Sequence, residues 1–183
     1  MIGGVIVRRA AAGDAAGIAA VHVASWQAAY RGLMPREVLD SLSVPARTER
    51  WAANLADTDA GVTTLVAELD GEVIGFASVG PSRDEGAEGT GELWALYLHP
   101  RHWDAGHGRV LHAHAVSALV ASGVVDATLW VLTTNRRARR FYERHGWAAD
   151  GAGRVAALGD VPLDETRYRV TGLGDVAGVT VLP

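Results

Sequence analysis

The segment Glu92-Leu93-Trp94-Ala95-Leu96-Tyr97-Leu98-His99-Pro100, followed by Trp103-Asp104-Ala105-Gly106-His107-Gly108-Arg109, decides the fold of this chain. Its first part alternates like a half-buried strand that Pro100 ends, and its second part is a glycine-containing loop. Apolar residues at helical spacing predict a helix from about 108 to 122. A helix N-terminus has unpaired N–H groups, and glycine lets an anion approach the backbone. The segment therefore predicts a site for a phosphate-bearing cofactor.

The composition indicates a single domain with a well-filled core. The chain has 183 residues, of which 49% are hydrophobic, and a formal net charge of −4. The negative charge argues against a nucleic-acid partner. The sequence contains no apolar run of the roughly 20 residues that a membrane span needs. Because the first residues also lack the basic-then-apolar layout of a secretory signal, we expect a cytoplasmic protein without a membrane partner.

The absence of two residue types excludes several kinds of chemistry. The chain has no cysteine, and all 17 of its basic residues are arginine. Disulfides, thiolate metal sites, a cysteine nucleophile and a lysine Schiff base are therefore excluded. The seven histidines show no metal-ligand spacing, since His112 and His114 are two residues apart on a predicted helix and would face apart. We expect no metal.

The N-terminal third reads as a short strand followed by helices. A strand is predicted at about 6–8, and Asp14 is the candidate N-cap of a helix that Gly32 ends. Further helical stretches are predicted at about 36–42 and 47–55.

The middle of the chain reads as a hairpin and an acidic loop. Strands are predicted at 63–69 and 72–79, joined by the turn dipeptide Asp70-Gly71. The glycine-rich loop at 81–91 carries Asp84, Glu85 and Glu88, which is typical of a solvated segment.

The C-terminal half continues the sheet. The apolar strand predicted at 126–132 follows a helix, so a right-handed crossover makes it parallel to the strand at 92–98. Asn135 is the candidate N-cap of a short helix that Gly146 ends. Two last strands are predicted at 147–149 and 165–170, and a tail follows in which Val179 and Val181 alternate weakly.

The order of these elements resembles that of the GNAT superfamily of acetyl-CoA-dependent N-acetyltransferases. Three segments of the sequence carry the resemblance. The segment 92–109 resembles the pyrophosphate motif of that family. The segment 135–147, Asn-Arg-Arg-Ala-Arg-Arg-Phe-Tyr-Glu-Arg-His-Gly-Trp, is similar to the family pattern Asn-x-x-Ala-x-x-x-Tyr-x-x-x-Gly-aromatic. The segment 26–31, Trp-Gln-Ala-Ala-Tyr-Arg, is similar to one bacterial subgroup.

The resemblance implies an α+β fold and a domain boundary. We expect a mostly antiparallel sheet of six to seven strands with one parallel pair, flanked by about four helices. The domain would span 1–171, with a C-terminal tail at 172–183. The full Gly-x-Gly-x-x-Gly fingerprint of a dinucleotide site is absent, because position 111 is leucine.

The resemblance also implies which residues bind acetyl-CoA. The backbone of Leu96 and Leu98, with Tyr97 between them, would pair with the pantetheine arm as an added strand does. The expected diphosphate-binding segment consists of Trp103, Asp104, Ala105, Gly106, His107, Gly108 and Arg109. Asn135 would contact the pantetheine. The arginine run 136–140, which contains Arg139, is typical of a solvated helix face and is also a candidate contact of the adenosine phosphate. The sequence departs from the family at Trp103, where glutamine or arginine is usual, and Asp104 adds a negative charge near the phosphates.

Two residues are candidates for acid–base chemistry. Glu92 is the candidate base that takes a proton from the amine, with Glu88 and Glu85 as lesser candidates. By the resemblance, Tyr142 is the candidate acid that protonates the departing thiolate. Each has a structural alternative: Glu92 as an exposed residue at a strand end, and Tyr142 as a core residue beside Phe141.

The acceptor would be a cationic amine that binds at Trp26, Tyr30 and Trp94 with the acidic loop 84–92, although a tryptophan in an amphipathic helix more often belongs to the core. Three functions remain open: acetyl transfer to the primary amine of a small molecule by direct attack, acetyl transfer to a protein or peptide, and non-catalytic binding of an acyl-CoA. A homodimer is common in the resembled family and is kept as a hypothesis.

Overall fold

The fold is built around one seven-stranded sheet. The structure is a computed structural model that describes residues 4–57, 61–158 and 161–173. Its strands are β1 Ile6–Arg9, β2 Thr63–Leu69, β3 Glu72–Pro81, β4 Gly91–Leu98, β5 Ala127–Leu132, β6 Ala148–Leu158 and β7 Val161–Val170. Its α-helices are α1 Ala15–Ala29, α2 Arg36–Asp40, α3 Val44–Ala56, α4 His107–Ala121 and α5 Arg136–Arg144. Single 3-10 turns occupy Ala12–Asp14 and Pro100–His102.

The strand order confirms the expected fold class. The strands are ordered β1-β2-β3-β4-β5-β7-β6, and every neighbouring pair is antiparallel except β4 and β5. The sheet therefore has the predicted single parallel pair, which arises because α4 connects β4 to β5.

The sheet carries a hydrophobic core on each face. On β2, Leu65 and Ala67 belong to the core that contains α4 residues, whereas Val66 between them belongs to the core that contains α1 residues. Alternate side chains of a strand point to opposite faces, so α1 and α4 lie on opposite sides of the sheet. A third, smaller cluster joins the end of α1 to β7 and is described with the cavity.

The parallel pairing of β4 with β5 is short. Only two residues of β4 are in register with β5, Gly91 with Ala127 and Glu92 with Thr128. A bulge follows, because Ser78 and Val79 of β3 pair with Ala95 and Leu93 and leave Trp94 as the extra residue of β4. Beyond the bulge, β4 stays paired with β3 while β5 pairs with β7, so a gap opens between β4 and β5.

Gly91 allows α4 to pack closely where the two strands meet. A Cβ atom at this position would lie 2.7 Å from Leu119 and 2.8 Å from Val124, both closer than carbon atoms approach without a shift. The glycine is therefore required by packing at the closed end of the gap.

Two features differ from the sequence predictions. β6 runs to Leu158 and pairs with the whole of β7, whereas only 147–149 and 165–170 were predicted as strands. Asp14 does flank α1, but its carboxylate accepts hydrogen bonds from the guanidinium of Arg8 at 2.8 and 2.9 Å and does not cap the helix.

The C-terminal end is only partly described. Leu173 is buried in the larger core, and its N–H donates to the carbonyl of Val125. The weakly alternating valines, Val179 and Val181, lie outside the described residues, and the boundary between 171 and 172 stays a prediction. No helix in the described part of the chain is long and apolar enough to cross a membrane.

Each core contains a histidine that accepts a hydrogen bond from tryptophan. The indole N–H of Trp147 donates to Nε2 of His112 at 2.9 Å, and that of Trp51 donates to Nδ1 of His22 at 3.3 Å. An indole N–H is only a donor, so each imidazole is neutral in the folded protein. Burial lowers the pKa of both histidines to about 4.

We expect the protein to lose stability as the pH falls from about 6.5 to about 4. In this window the unfolded histidines bind protons that the folded ones exclude, so the free energy of unfolding falls by up to about 1.4 kcal/mol per pH unit for each histidine. Urea unfolding at pH 7, 6 and 5 measures this slope. His112→Gln, whose amide oxygen accepts from Trp147 without titrating, reduces it. The exposed His114→Gln on the same helix is the control, and equal slopes in the two variants would contradict the assignment.

Candidate active site

A cavity occupies the gap between β4 and β5. Its volume is about 840 Å³, and it extends from the N-terminus of α4 to the C-terminal end of α1. Side chains and backbone of both strands line it, together with residues of α5 and β7. This size and its mixed lining are those of a site for a small organic ligand.

The end of the cavity at α4 is rich in backbone donors and in arginine. Gly106 precedes the helix with a φ of 84°, a conformation that glycine adopts without strain. Helical N-termini carry unpaired N–H groups and a partial positive charge, which favour an anion. Four arginines also belong to the residues that line the cavity on α4 and α5, Arg109, Arg137, Arg140 and Arg144.

Trp103 and Asp104 tie the loop before α4 to the rest of the site. The indole N–H of Trp103 donates to the carbonyl of Leu98 at 2.7 Å. The guanidinium of Arg137 lies 4.6 Å from the Trp103 ring centroid and donates to Asp104 at 2.9 Å. Trp103 thus holds the loop by stacking and hydrogen bonding, and Asp104 neutralises one of the four cations.

The carbonyl of Leu98 is already used by the protein. Besides the bond from Trp103, it accepts one at 2.9 Å from the hydroxyl of Ser25, which is buried in α1. A carbonyl oxygen has two lone pairs, so both are occupied. The expected strand-like pairing with a pantetheine arm would therefore use the carbonyl of Leu96 and not that of Leu98.

Tyr142 lies between the two ends of the cavity. It belongs to α5, which begins as predicted at Asn135, whose side chain accepts from the N–H of Ala138 at 3.1 Å. Tyr142 lines the cavity although its side chain is almost fully buried beside Trp147 and Phe141. Burial, reinforced by the nearby Tyr97, raises the pKa of the Tyr142 phenol well above 10, so the group is a proton donor at neutral pH.

Glu92 lies behind the cavity wall and not in it. Its carboxylate is fully buried and accepts from the N–H of Arg83 at 2.8 Å and from Arg83 Nε at 3.1 Å, with a further bond from Nη2. The alternative of an exposed glutamate at a strand end is therefore wrong, because the carboxylate is buried and three donors occupy it. Glu92 fixes Arg83, which does line the cavity, and its assignment as a base stays a prediction.

The opposite end of the cavity is aromatic. Trp26, Tyr30 and Trp94 line it as expected, and Trp130 of β5 joins them. Trp26 and Tyr30 are in edge contact with ring centroids 5.1 Å apart. Burial and a hydrogen bond with Tyr97 raise the pKa of Tyr30 well above its usual range.

Two arginines stack on these aromatic rings. The guanidinium of Arg83 lies 4.6 Å from the Trp94 centroid, and that of Arg154 lies 4.2 Å from the Trp130 centroid. The loop 81–91 thus brings Arg83 to the cavity, whereas its acids Glu85 and Glu88 are not among the lining residues. Asp84 is engaged elsewhere, by the Trp130 indole and Arg167. The expected acidic wall is therefore replaced by arginines paired with carboxylates.

Most of the residues that the sequence singled out line this one cavity. Those predicted for the cofactor that do so are Leu96, Tyr97, Leu98, Trp103, Asp104, Gly106, Gly108, Arg109 and Asn135. Ala105, His107 and Arg139 are not among the lining residues. Arg139 donates instead to the hydroxyl of Tyr168 at 2.9 Å and to the carbonyl of Thr133. Its assignment to the adenosine phosphate stays a prediction, and the residues of the same helix that line the cavity include Arg137, Arg140 and Arg144.

Sequence reasoning did not assign several of the lining residues to the site, among them Arg83, Trp130, Arg154 and Glu165. For Trp130 the sequence held a signal, because it lies on the strand predicted at 126–132 to run parallel to the strand that carries Trp94. Arg154 had none, since its part of β6 was not predicted as a strand, and Glu165 was predicted only as the first residue of a strand at 165–170. Within the described residues, no group of three or more His, Cys, Asp or Glu side chains is placed to hold a metal ion.

The sheet thus holds a cavity between two diverging strands, beside the N-terminus of α4. Comparison with known sequences gives the family. Residues 18–147 match the model of the Acetyltransferase (GNAT) family, and the chain belongs to that family. It is an acetyltransferase.

Individual proteins show the same relationship. An uncharacterised N-acetyltransferase of Bacillus subtilis, YuaI, is 36% identical over 131 residues, which cover 72% of this chain and 73% of that protein. The PaiA N-acetyltransferase of Thermoplasma acidophilum, solved with coenzyme A, has a TM-score of 0.75 at 19% identity, with 92% and 99% of the chains covered. A Salmonella typhimurium acetyltransferase solved with acetyl-CoA has a TM-score of 0.68 at 22% identity, covering 92% and 94%. The two structures share the fold.

Proposed function

We propose that this protein transfers the acetyl group of acetyl-CoA to a primary amine of a small molecule by direct attack in a ternary complex. The observation that carries the proposal is the continuous cavity, which joins an arginine-lined helix N-terminus to an aromatic end past the phenol of Tyr142. Such a cavity holds both reactants close together, which is the main requirement of a direct transfer.

The α4 end of the cavity suits the phosphates of acetyl-CoA. The first-turn amides of α4 and the guanidinium groups of Arg109, Arg140 and Arg144 supply donors and positive charge for the diphosphate and the adenosine phosphate. Beyond the bulge, the edge of β4 is no longer paired with β5, so its backbone is accessible to the pantetheine amides. The related proteins solved with coenzyme A or acetyl-CoA support this assignment.

The aromatic end suits a small acceptor more than a protein segment. Tyr30, Met34 and Leu39 pack with Leu132 and Leu163 in one apolar cluster, which links the segment after α1 to β5 and β7. Both Met34 and Leu163 line the cavity, so this cluster walls its aromatic end. A protein or peptide acceptor would need an open groove at this end of the cavity, and the cluster closes that end.

The chemistry follows from these positions. The amine nitrogen attacks the thioester carbon, the C–S bond breaks, and the Tyr142 phenol protonates the departing thiolate, whose parent thiol has a pKa of about 8.5. A cysteinyl acyl-enzyme is excluded because the chain has no cysteine. Cytoplasmic location and a homodimer stay predictions.

The proposal is tested by measuring release of the CoA thiol from acetyl-CoA with a panel of acceptors. The panel contains arylalkylamines, amino acids, polyamines, aminoglycosides, and peptides with a free N-terminus or a lysine. Acetylation of a small amine is the expected result. Acetylation of peptides alone would favour the protein acetyltransferase alternative, and acetyl-CoA binding without thiol release from any acceptor would favour a non-catalytic binding module.

We expect Tyr142→Phe to lower kcat by about a hundredfold or more and to leave the Kd for acetyl-CoA nearly unchanged. Loss of a positioned acid typically costs this much, whereas the phenylalanine ring preserves the packing. Steady-state kinetics and calorimetry measure the two quantities. An equal loss of turnover and affinity would mean that the phenol serves packing.

We expect Asp104→Asn to tighten CoA binding by up to about fivefold at low salt. The change removes a negative charge beside the diphosphate and releases Arg137, and an exposed pair of this kind contributes up to about 1 kcal/mol. Asparagine tolerates the φ of 61° at this position. Calorimetric titration with CoA measures the effect, and Asp40→Asn, which removes an exposed carboxylate paired with Arg36, is the control. Unchanged affinity would argue against a diphosphate at this loop.

A further inference from the structure

Glu165 is the carboxylate at the aromatic end of the cavity. It lies on β7 in register with Leu132 of β5 and Arg154 of β6, and its side chain is 19% exposed. Among the described residues, the carboxylate side chains that line the cavity are Glu165 and Asp104. Asp104 belongs to the α4 end, so Glu165 alone of these two faces the acceptor.

One oxygen of Glu165 is engaged and the other is available. Oε2 accepts from Arg154 Nε at 2.7 Å, whereas no hydrogen bond from the described residues reaches Oε1. The other charged neighbour on this side is Asp84, whose Oδ1 lies 4.0 Å from Arg154 Nη1. The Arg154 guanidinium is therefore shared between two carboxylates, and Glu165 keeps acceptor capacity toward the cavity.

Glu165 is electrostatically coupled to the tyrosines of the site. Burial raises the pKa of both Tyr30 of α1 and Tyr97 of β4, and the negative charge of Glu165 raises each further. Tyr97 is also close enough to Tyr142 to raise the pKa of that phenol. Glu165 thus belongs to the same group of side chains as the candidate acid, whereas the carboxylate of Glu92 is saturated by Arg83.

We propose that Glu165 binds the ammonium group of the acceptor and takes the proton that the amine nitrogen loses as the N–C bond forms. The inference rests on the proposed function. The ammonium first loses one proton to Glu165, which passes it to solvent. The lone pair of the neutral amine then forms the N–C bond and the C–S bond breaks, while the thiolate takes the Tyr142 proton and the second nitrogen proton passes to Glu165. Solvent then reprotonates Tyr142 and deprotonates Glu165.

The test compares an ammonium ligand with a neutral ligand of the same shape. The aromatic lining at Trp26, Trp94 and Trp130 suits a flat apolar body, so the probes are 2-phenylethylammonium and 2-phenylethanol, titrated at pH 7 into the full chain saturated with CoA. Tryptophan fluorescence gives each Kd. Wild-type protein is expected to prefer the ammonium by about tenfold, as a charge-assisted hydrogen bond would produce.

Glu165→Gln is expected to abolish this preference, because the amide keeps an oxygen for Arg154 but loses the charge. Asp164→Asn, at the exposed neighbouring position of β7, is the matched control and is expected to keep it. Arg154→Gln separates a structural role of Glu165 from a binding role. It removes the ion-pair partner of Glu165 but leaves the carboxylate, so the ammonium preference is expected to stay the same or to increase. Thermal unfolding of each variant identifies any loss of fold.

Three outcomes overturn the proposal. They are a wild-type protein without ammonium preference, a Glu165→Gln variant that retains the preference, and loss of the preference in Glu92→Gln but not in Glu165→Gln. Because the assay measures binding, it tests the role of Glu165 in binding the ammonium even if no small amine is acetylated. In that case only the proposed function fails. With an amine that is acetylated, Glu165→Gln is expected to lower kcat/KM at least tenfold without changing the Kd for CoA.

Discussion

The structure depends on how briefly β4 and β5 stay paired. They are in register at only two residues of β4, after which each strand follows a different neighbour. Gly91 closes the joined end by letting α4 approach, and Glu92 beside it is held by Arg83. The bulge at Trp94 then turns β4 away. A sheet normally has no room for a ligand between adjacent strands, so this divergence creates the cavity in which both reactants can meet.

Charge is distributed unevenly along that cavity. At the α4 end, four arginines and one aspartate line the cavity, and this excess of positive charge favours an anionic ligand. At the aromatic end, each arginine is paired with a glutamate, Arg83 with Glu92 and Arg154 with Glu165. The charges of the lining residues at this end are therefore close to balanced.

The sequence predicted those parts of the fold that local signals specify. The strand, loop and helix from 92 to 121, the cap at Asn135 and the hairpin at Asp70-Gly71 all follow from short patterns. The β6–β7 pairing was missed because Asp150, Gly151 and Gly153 have the composition of a loop, while pairing with β7 stabilises the strand. The partner of Glu92 was missed for a related reason, because an ion pair across a loop depends on tertiary geometry.

The exclusive use of arginine has a consequence for the lifetime of the enzyme. Thioesters slowly acylate exposed amines without any catalyst, and a lysine beside the bound donor would be a target. This chain has no lysine, so the cations that line its cavity are guanidinium groups, which stay protonated and are poor nucleophiles. Acylation by a thioester would remove the positive charge of a lysine, and this chain offers no lysine for that reaction. The positive charge of the cavity is thus preserved from one turnover to the next.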